Sequence, residues 1–264
     1  MKTLLRLAAA LAVVIAISLL WVGLGGSHRQ GADLSSAAYS SLPAAPAPAL
    51  RIGRPERLSS SRFISRWTTV RRPTLARSRP SASAPVVTEL STHAPEGTPN
   101  ALSAIGARTD ARSRVWVEVR LPVLPNGTRG WVPRRSLGAY QTLDTRLVVD
   151  RSALRATLYR DGKTIFSAPV AVGTSYWPTP AGRFIVRSEL TRYASPFYGP
   201  VSFGTSARSA VLTDWPAGGF VGIHGTNAPQ LVPGRVSHGC VRMRNSDILR
   251  LARLLPVGTP LLIR

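Results

Sequence analysis

The chain has 264 residues, room for one or two domains and their linkers. Its formal net charge is +22, and 32 of its 34 basic residues are Arg, with Lys only at Lys2 and Lys163. One cysteine, Cys240, excludes an internal disulfide; the charge is spread as +2 on residues 1–26, +11 on 27–140 and +9 on 141–264, and no recognition motif accompanies it, so nucleic acid is not an expected partner.

Lys2 and Arg6 precede an apolar run from Leu7 to Leu24. Those eighteen residues are just enough to cross a bilayer. Residues 1–26 therefore read as a signal anchor or a signal peptide. The remainder is expected on the extracytoplasmic face of the membrane or in the cell wall, tethered through residues 7–24. A lipoprotein is not expected, because no cysteine stands near residue 25 to be acylated. Residues 27–85 are rich in Ser, Ala, Pro and Arg, as in Ser41-Leu42-Pro43-Ala44-Ala45-Pro46-Ala47-Pro48, and predict a disordered linker.

Pattern returns over residues 86–140. Val86-Val87 opens a strand, Val115-Trp116-Val117-Glu118-Val119 alternates, Asn126-Gly127 signals a hairpin turn, and Gly130-Trp131-Val132-Pro133 follows. This spacing predicts a small barrel and resembles the end of a bacterial SH3-like domain. Trp116 and Trp131 are candidates for its core or for a ligand groove.

Residues 141–264 are denser. Strands are expected over 146–150, 154–160 and 164–172, the last two joined by Asp161-Gly162 in a type I′ turn. Thr179-Pro180-Ala181-Gly182 makes a turn, and Arg183 to Arg187 leaves it as a strand. Gly219 to His224 forms a strand that delivers His224 at its end. A helix from about Asp247 to Leu255, capped by Asn245 or Ser246 and facing inward with Ile248, Leu249, Ala252 and Leu255, precedes a last strand over 259–263. The chain is thus read as mostly β: a C-terminal β-sandwich with one or two helices, after a small SH3-like barrel, a linker and an N-terminal membrane helix.

The chemistry concentrates at Ser237-His238-Gly239-Cys240-Val241-Arg242-Met243, with Ile223-His224-Gly225-Thr226-Asn227 sixteen positions upstream of the cysteine, His224 to Cys240. A thiol needs a base or a cation beside it to act as a nucleophile. His224, His238 and Arg242 are the candidates. His238 and Cys240, two residues apart, would share a face if the chain were extended there. Gly239 leaves room for substrate, and the N–H groups of 239 and 240 are candidates to hold an oxyanion. A zinc site from His224, His238 and Cys240 lacks an obvious fourth ligand, so no metal is expected, and a cysteine acyl transfer needs no organic cofactor.

These two patches, with Thr179-Pro180-Ala181-Gly182-Arg183-Phe184 upstream, closely resemble the signature of YkuD-type L,D-transpeptidases over about residues 143–264. The resemblance implies a β-sandwich and a covalent mechanism on peptidoglycan stem peptides, and the chain is expected to be a monomer. Cys240 would be the nucleophile and His224 the proton carrier, oriented by a backbone carbonyl. His238 would shape the pocket and support the thiolate. Gly239 and Cys240 would supply the oxyanion hole. Arg242 would hold a substrate carboxylate or carbonyl, with Ser237, Gly225 and Thr226 completing the binding surface. Carbapenems would acylate Cys240. Two alternatives stay open: a carboxypeptidase that uses water as acceptor, and an exported wall-binding module without catalysis.

Overall fold

A computed structural model of the chain describes residues 56–59, 64–191, 195–211 and 219–264. The expected membrane segment and most of the expected linker lie outside these residues. Among the described residues no helix is long and apolar enough to cross a membrane.

The first sheet contains β1 (Glu56–Arg57), β2 (Ser65–Thr69), β3 (Thr74–Arg77), β4 (Val86–Leu90), β5 (Ala101–Thr109), β6 (Val115–Arg120), β7 (Arg129–Pro133) and β8 (Gln141–Leu143). Its main path runs β4-β3-β7-β6-β5-β2-β8, with β1 on β5. Val117, Val119, Leu102, Ala104 and Val132 form its core. Trp116 belongs to the interior, 3% exposed, with its indole N–H donated to Asp110 Oδ2 at 3.0 Å.

One expectation is corrected here. The linker over 27–85 does not extend to its expected end: β2 and β3 come from it, and Trp67 packs where any Cβ on Gly258 would lie 2.2 Å away. The polar composition misleads because these strands bury only Thr68 and Ala76 fully. Asn126-Gly127 lies, as expected, in the turn of a hairpin, in which β6 and β7 pair antiparallel across an eight-residue connection. Asn126 also reaches the second sheet, donating to the Arg208 carbonyl at 2.7 Å and accepting from the Arg208 N–H at 3.0 Å.

The second sheet holds β9 (Thr145–Asp150), β10 (Arg155–Arg160), β11 (Lys163–Pro169), β12 (Ala171–Gly173), β13 (Gly182–Leu190), β14 (Ser202–Arg208), β15 (Phe220–His224), β16 (Gly234–Ser237), β17 (Val241–Arg242) and β18 (Pro260–Ile263). Their order is β11-β10-β9-β18-β13-β14-β15-β17-β12-β16. β13 serves both halves: residues 182–185 pair with β18 and 186–190 with β14, across a register shift. The chain folds around this strand into sandwich-like layers, with Leu147, Leu158, Phe203, Ile223 and Met243 in the core. Asp161 (φ 48°) and Gly162 (φ 79°) make the left-handed pair that a type I′ turn requires.

One α-helix is present among the described residues, α1 (Asn245–Ala252). It buries Ile248 and Leu251, while Leu249 is 42% exposed, contrary to the expected inward face. Its N-cap position is Arg244, so neither Asn245 nor Ser246 caps it. Between the sheets, Glu96 enters the second one: its carboxylate takes Arg187 Nη2 at 2.8 and 2.9 Å and the Ser188 hydroxyl at 3.1 Å, with both charged side chains nearly fully buried. Gly204 makes room for it, since a Cβ there would lie 2.5 Å from Glu96 Oε1.

Candidate active site

Cys240 immediately precedes β17, whose neighbour β15 ends in His224. β15 and β17 run parallel, with Ile223 opposite Val241 and His224 opposite Arg242. Continuing that register backwards sets Gly222 beside Cys240, and the Gly222 N–H reaches Cys240 Sγ at 3.4 Å. The imidazole therefore sits two residues along the sheet from the level of the thiol, a step of ~6.6 Å, on the scale that a cysteine and a histidine side chain bridge. The Met243 N–H donates to the His224 carbonyl at 2.8 Å and locks the two segments.

His224 is 1% exposed. Its Nδ1 lies 2.6 Å from the Gly225 carbonyl oxygen. A carbonyl only accepts, so Nδ1 carries the proton and the neutral ring keeps its lone pair on Nε2. Burial lowers the pKa of His224 to about 4; the Gly225 hydrogen bond opposes this and the Arg242 charge adds to it. At neutral pH the group is thus an uncharged base.

Aromatic rings cover it. Tyr198, in the short 3-10 turn Pro196–Tyr198, meets the imidazole edge-on with centroids 4.8 Å apart. Phe197 lies 6.5 Å from the same ring and carries the Arg242 guanidinium 4.9 Å over its face. Arg242 is 9% exposed, and its Nε has no hydrogen-bond partner among the described residues. The backbone below is crowded: a Cβ on Gly225 would lie 2.4 Å from Asn245 Oδ1 and 3.0 Å from the Gly199 Cα. Asn245 Oδ1 accepts the Thr226 N–H at 2.9 Å, which ties α1 to the loop after His224; Thr226 Oγ1 in turn accepts the Ala228 N–H at 3.1 Å.

The cysteine is placed differently. Gly239 has φ +118°, in the region that favours glycine, so residues 238–240 are not extended. This corrects the expectation that His238 and Cys240 share a face: Cys240 is 6% exposed, whereas His238 is exposed and packs on Trp177 with centroids 4.2 Å apart. A donor that does reach the sulfur is the Gly222 N–H. The Ser237 hydroxyl clamps the turn, donating to the Cys240 carbonyl at 2.5 Å and accepting the Gly239 N–H at 3.1 Å. That N–H is therefore engaged within the loop and not available to an oxyanion in this conformation. Thr179, of the Thr-Pro turn, donates to the Gly239 carbonyl at 2.7 Å and accepts the Gly173 N–H at 2.8 Å.

Sequence reasoning missed Phe197, Tyr198, Gly222 and Asn245. Only Asn245 had been singled out, for a cap; nothing local to the other three marks them. No cluster of three or more His, Cys, Asp or Glu able to hold a metal occurs among the described residues.

A buried thiol beside the strand that ends in a neutral, backbone-oriented imidazole suits acyl transfer through a covalent intermediate. The YkuD family, described as the L,D-transpeptidase catalytic domain, matches residues 144–263. YqjB of Bacillus subtilis, named as a candidate L,D-transpeptidase, is 30% identical over 128 residues, 46% of this chain and 71% of that protein. YkuD of Bacillus licheniformis, so named too, is 32% identical over 118 residues, 45% of this chain and 64% of that one. The NMR structure of the catalytic domain of an Enterococcus faecium L,D-transpeptidase is 27% identical and covers 46% of this chain and 97% of that one, with a TM-score of 0.36. The chain belongs to the YkuD-type L,D-transpeptidase family. It spans 64% and 65% of the two YkuD proteins of Bacillus licheniformis and Bacillus subtilis.

Proposed function

We propose that this chain is a peptidoglycan L,D-transpeptidase that forms 3→3 cross-links. His224 Nε2 takes the proton of the Cys240 thiol as Sγ attacks the carbonyl between an L-configured stem centre and D-alanine. The tetrahedral intermediate collapses, the C–N bond breaks, and His224 returns the proton to the departing amine of D-alanine. A thioester remains on Cys240. The side-chain amine of a neighbouring stem then attacks it, loses its proton to His224, and releases the thiol. Each half-reaction is easier than direct exchange of one amide for another. Arg242, its buried Nε pointing no partner out among the described residues, binds a carboxylate or carbonyl of the donor stem.

The observation that supports this reading is the parallel pairing of β15 with β17 together with the Gly222 N–H on Cys240 Sγ: His224 ends the one strand and Cys240 immediately precedes the other. The reaction takes place on the extracytoplasmic side, where its substrate is. The test is the full chain incubated with disaccharide-tetrapeptide and analysed by mass spectrometry. A cross-linked dimer and D-alanine are expected, and neither from Cys240→Ala. Hydrolysed tripeptide without dimer would assign a carboxypeptidase instead. No turnover of any stem, with Cys240 labelled by a thiol reagent no faster than a free thiol, would assign a non-catalytic wall-binding module.

A further inference from the structure

A cleft of about 370 Å³ opens between the two sheets, lined by residues of both. It lies against β9, β10, β18 and the start of β13, whereas Cys240 and His224 lie toward the other end of the second sheet's strand order. Five arginines line it: Arg57, Arg120 and Arg129 from the first sheet, Arg146 and Arg183 from the second. Asp144 is the one carboxylate on its lining, with Glu118 nearby at 3.7 Å from Arg129.

The placement of these charges is unfavourable to the empty protein. Arg120 and Arg129 stand directly opposite each other on β6 and β7, where like charges destabilise a sheet. Arg120 is also half-buried. Its pKa is held below the usual arginine value first by burial, then by the charges of Arg129 and Arg183, with Glu118 opposing them. Arg146 stacks over Tyr159 at 5.2 Å, which orients its guanidinium. Ile105, Phe184 and Leu261 give the same cleft apolar wall. Arginine excess spread over a surface would not need to collect around a concave space between two sheets.

We propose that this cleft binds a phosphate ester, its anionic head held by Arg120, Arg129 and Arg183 and its organic body packed on the apolar wall. A carboxylate presents one edge to one guanidinium fork, whereas a phosphate presents several oxygens and suits convergent forks. The volume exceeds what a bare inorganic anion fills and lies in the range of small-molecule sites. The assignment stands independently of the chemistry at Cys240.

The test is calorimetric titration of the full chain with two probes, sn-glycerol 3-phosphate and a poly(glycerol phosphate), at fixed ionic strength. Arg183→Gln and Arg120→Gln are each expected to weaken binding about tenfold or more, as loss of a charge-assisted hydrogen bond does. A control altering the exposed Arg72 and Arg112 together, Arg72→Gln with Arg112→Gln, should leave it within about twofold, the scale of screened surface charge. Because Arg183 is exposed, its variant decides the matter if Arg120→Gln fails to fold. Binding of the monoester assigns a free phosphate ester; binding of the polymer alone assigns a repeating polyol-phosphate chain; either supports the site. The proposal is overturned if neither probe binds, or if the control pair weakens binding as much as Arg183→Gln does.

Discussion

The turn that carries Cys240 and the strand that carries His224 are held by different forces. The turn depends on a few directed bonds: the Ser237 hydroxyl, the Thr179 hydroxyl and the left-handed backbone of Gly239. The strand depends on burial, with His224 under Tyr198 and its protonation state set by the absence of water. The nucleophile side should therefore fail by local geometry, in a manner insensitive to pH, and the base side by charging.

The largest effect is expected at the base. His224→Gln should slow acylation of Cys240 by ~10²–10⁴-fold, the usual share of general base catalysis, measured by stopped quench and intact mass. Gly239→Ala comes next. A Cβ there has space, with its nearest neighbour, the Pro178 carbonyl oxygen, at 3.7 Å, so the cost is backbone strain and not a clash. The turn should relax and misplace the thiol, lowering kcat by ~10²-fold and the melting temperature by a few degrees.

The third contrast is in pH. An unfolded His224 has the ordinary value of 6.5, and the folded one about 4. Between these values the unfolded chain binds more protons, so this contribution to stability is complete above about 6.5 and is lost as pH falls towards about 4. Urea titrations from pH 7 to 4 should show wild type losing more stability than His224→Gln across that window. The smallest effects belong to the clamps. Ser237→Ala and Thr179→Val each strand a buried backbone group and should cost ~1–3 kcal/mol, equally at pH 7 and pH 5.

Much of the catalytic half was legible because its signals are local. Local pattern places β9, β10, β13, β15 and β18 to within a few residues and Asp161-Gly162 its turn, but it runs β11 and β12 together and leaves β14, β16 and β17 unmarked. The motif containing His224 and Cys240 is contiguous at each end. What stayed hidden depends on partners far away in sequence. Glu96 reads as one acid in a loop, yet it neutralises the buried Arg187. Asn126 reads as a turn residue, yet it holds the end of β14. Phe197 and Tyr198 lie in a stretch with no period to place them. β2 and β3 were missed because half-buried strands show little hydrophobic contrast. The practical consequence is that a fragment beginning at residue 86 would remove strands that pair with β5 and β7.

The most direct test is the rate at which a carbapenem adds to Cys240, followed by intact mass in wild type and His224→Gln from pH 5 to pH 9. A neutral base beside the thiol predicts fast addition to wild type at pH 7. The variant should lag far behind there and draw closer only as rising pH ionises the thiol without a base. Equal rates in the two proteins at neutral pH would contradict it.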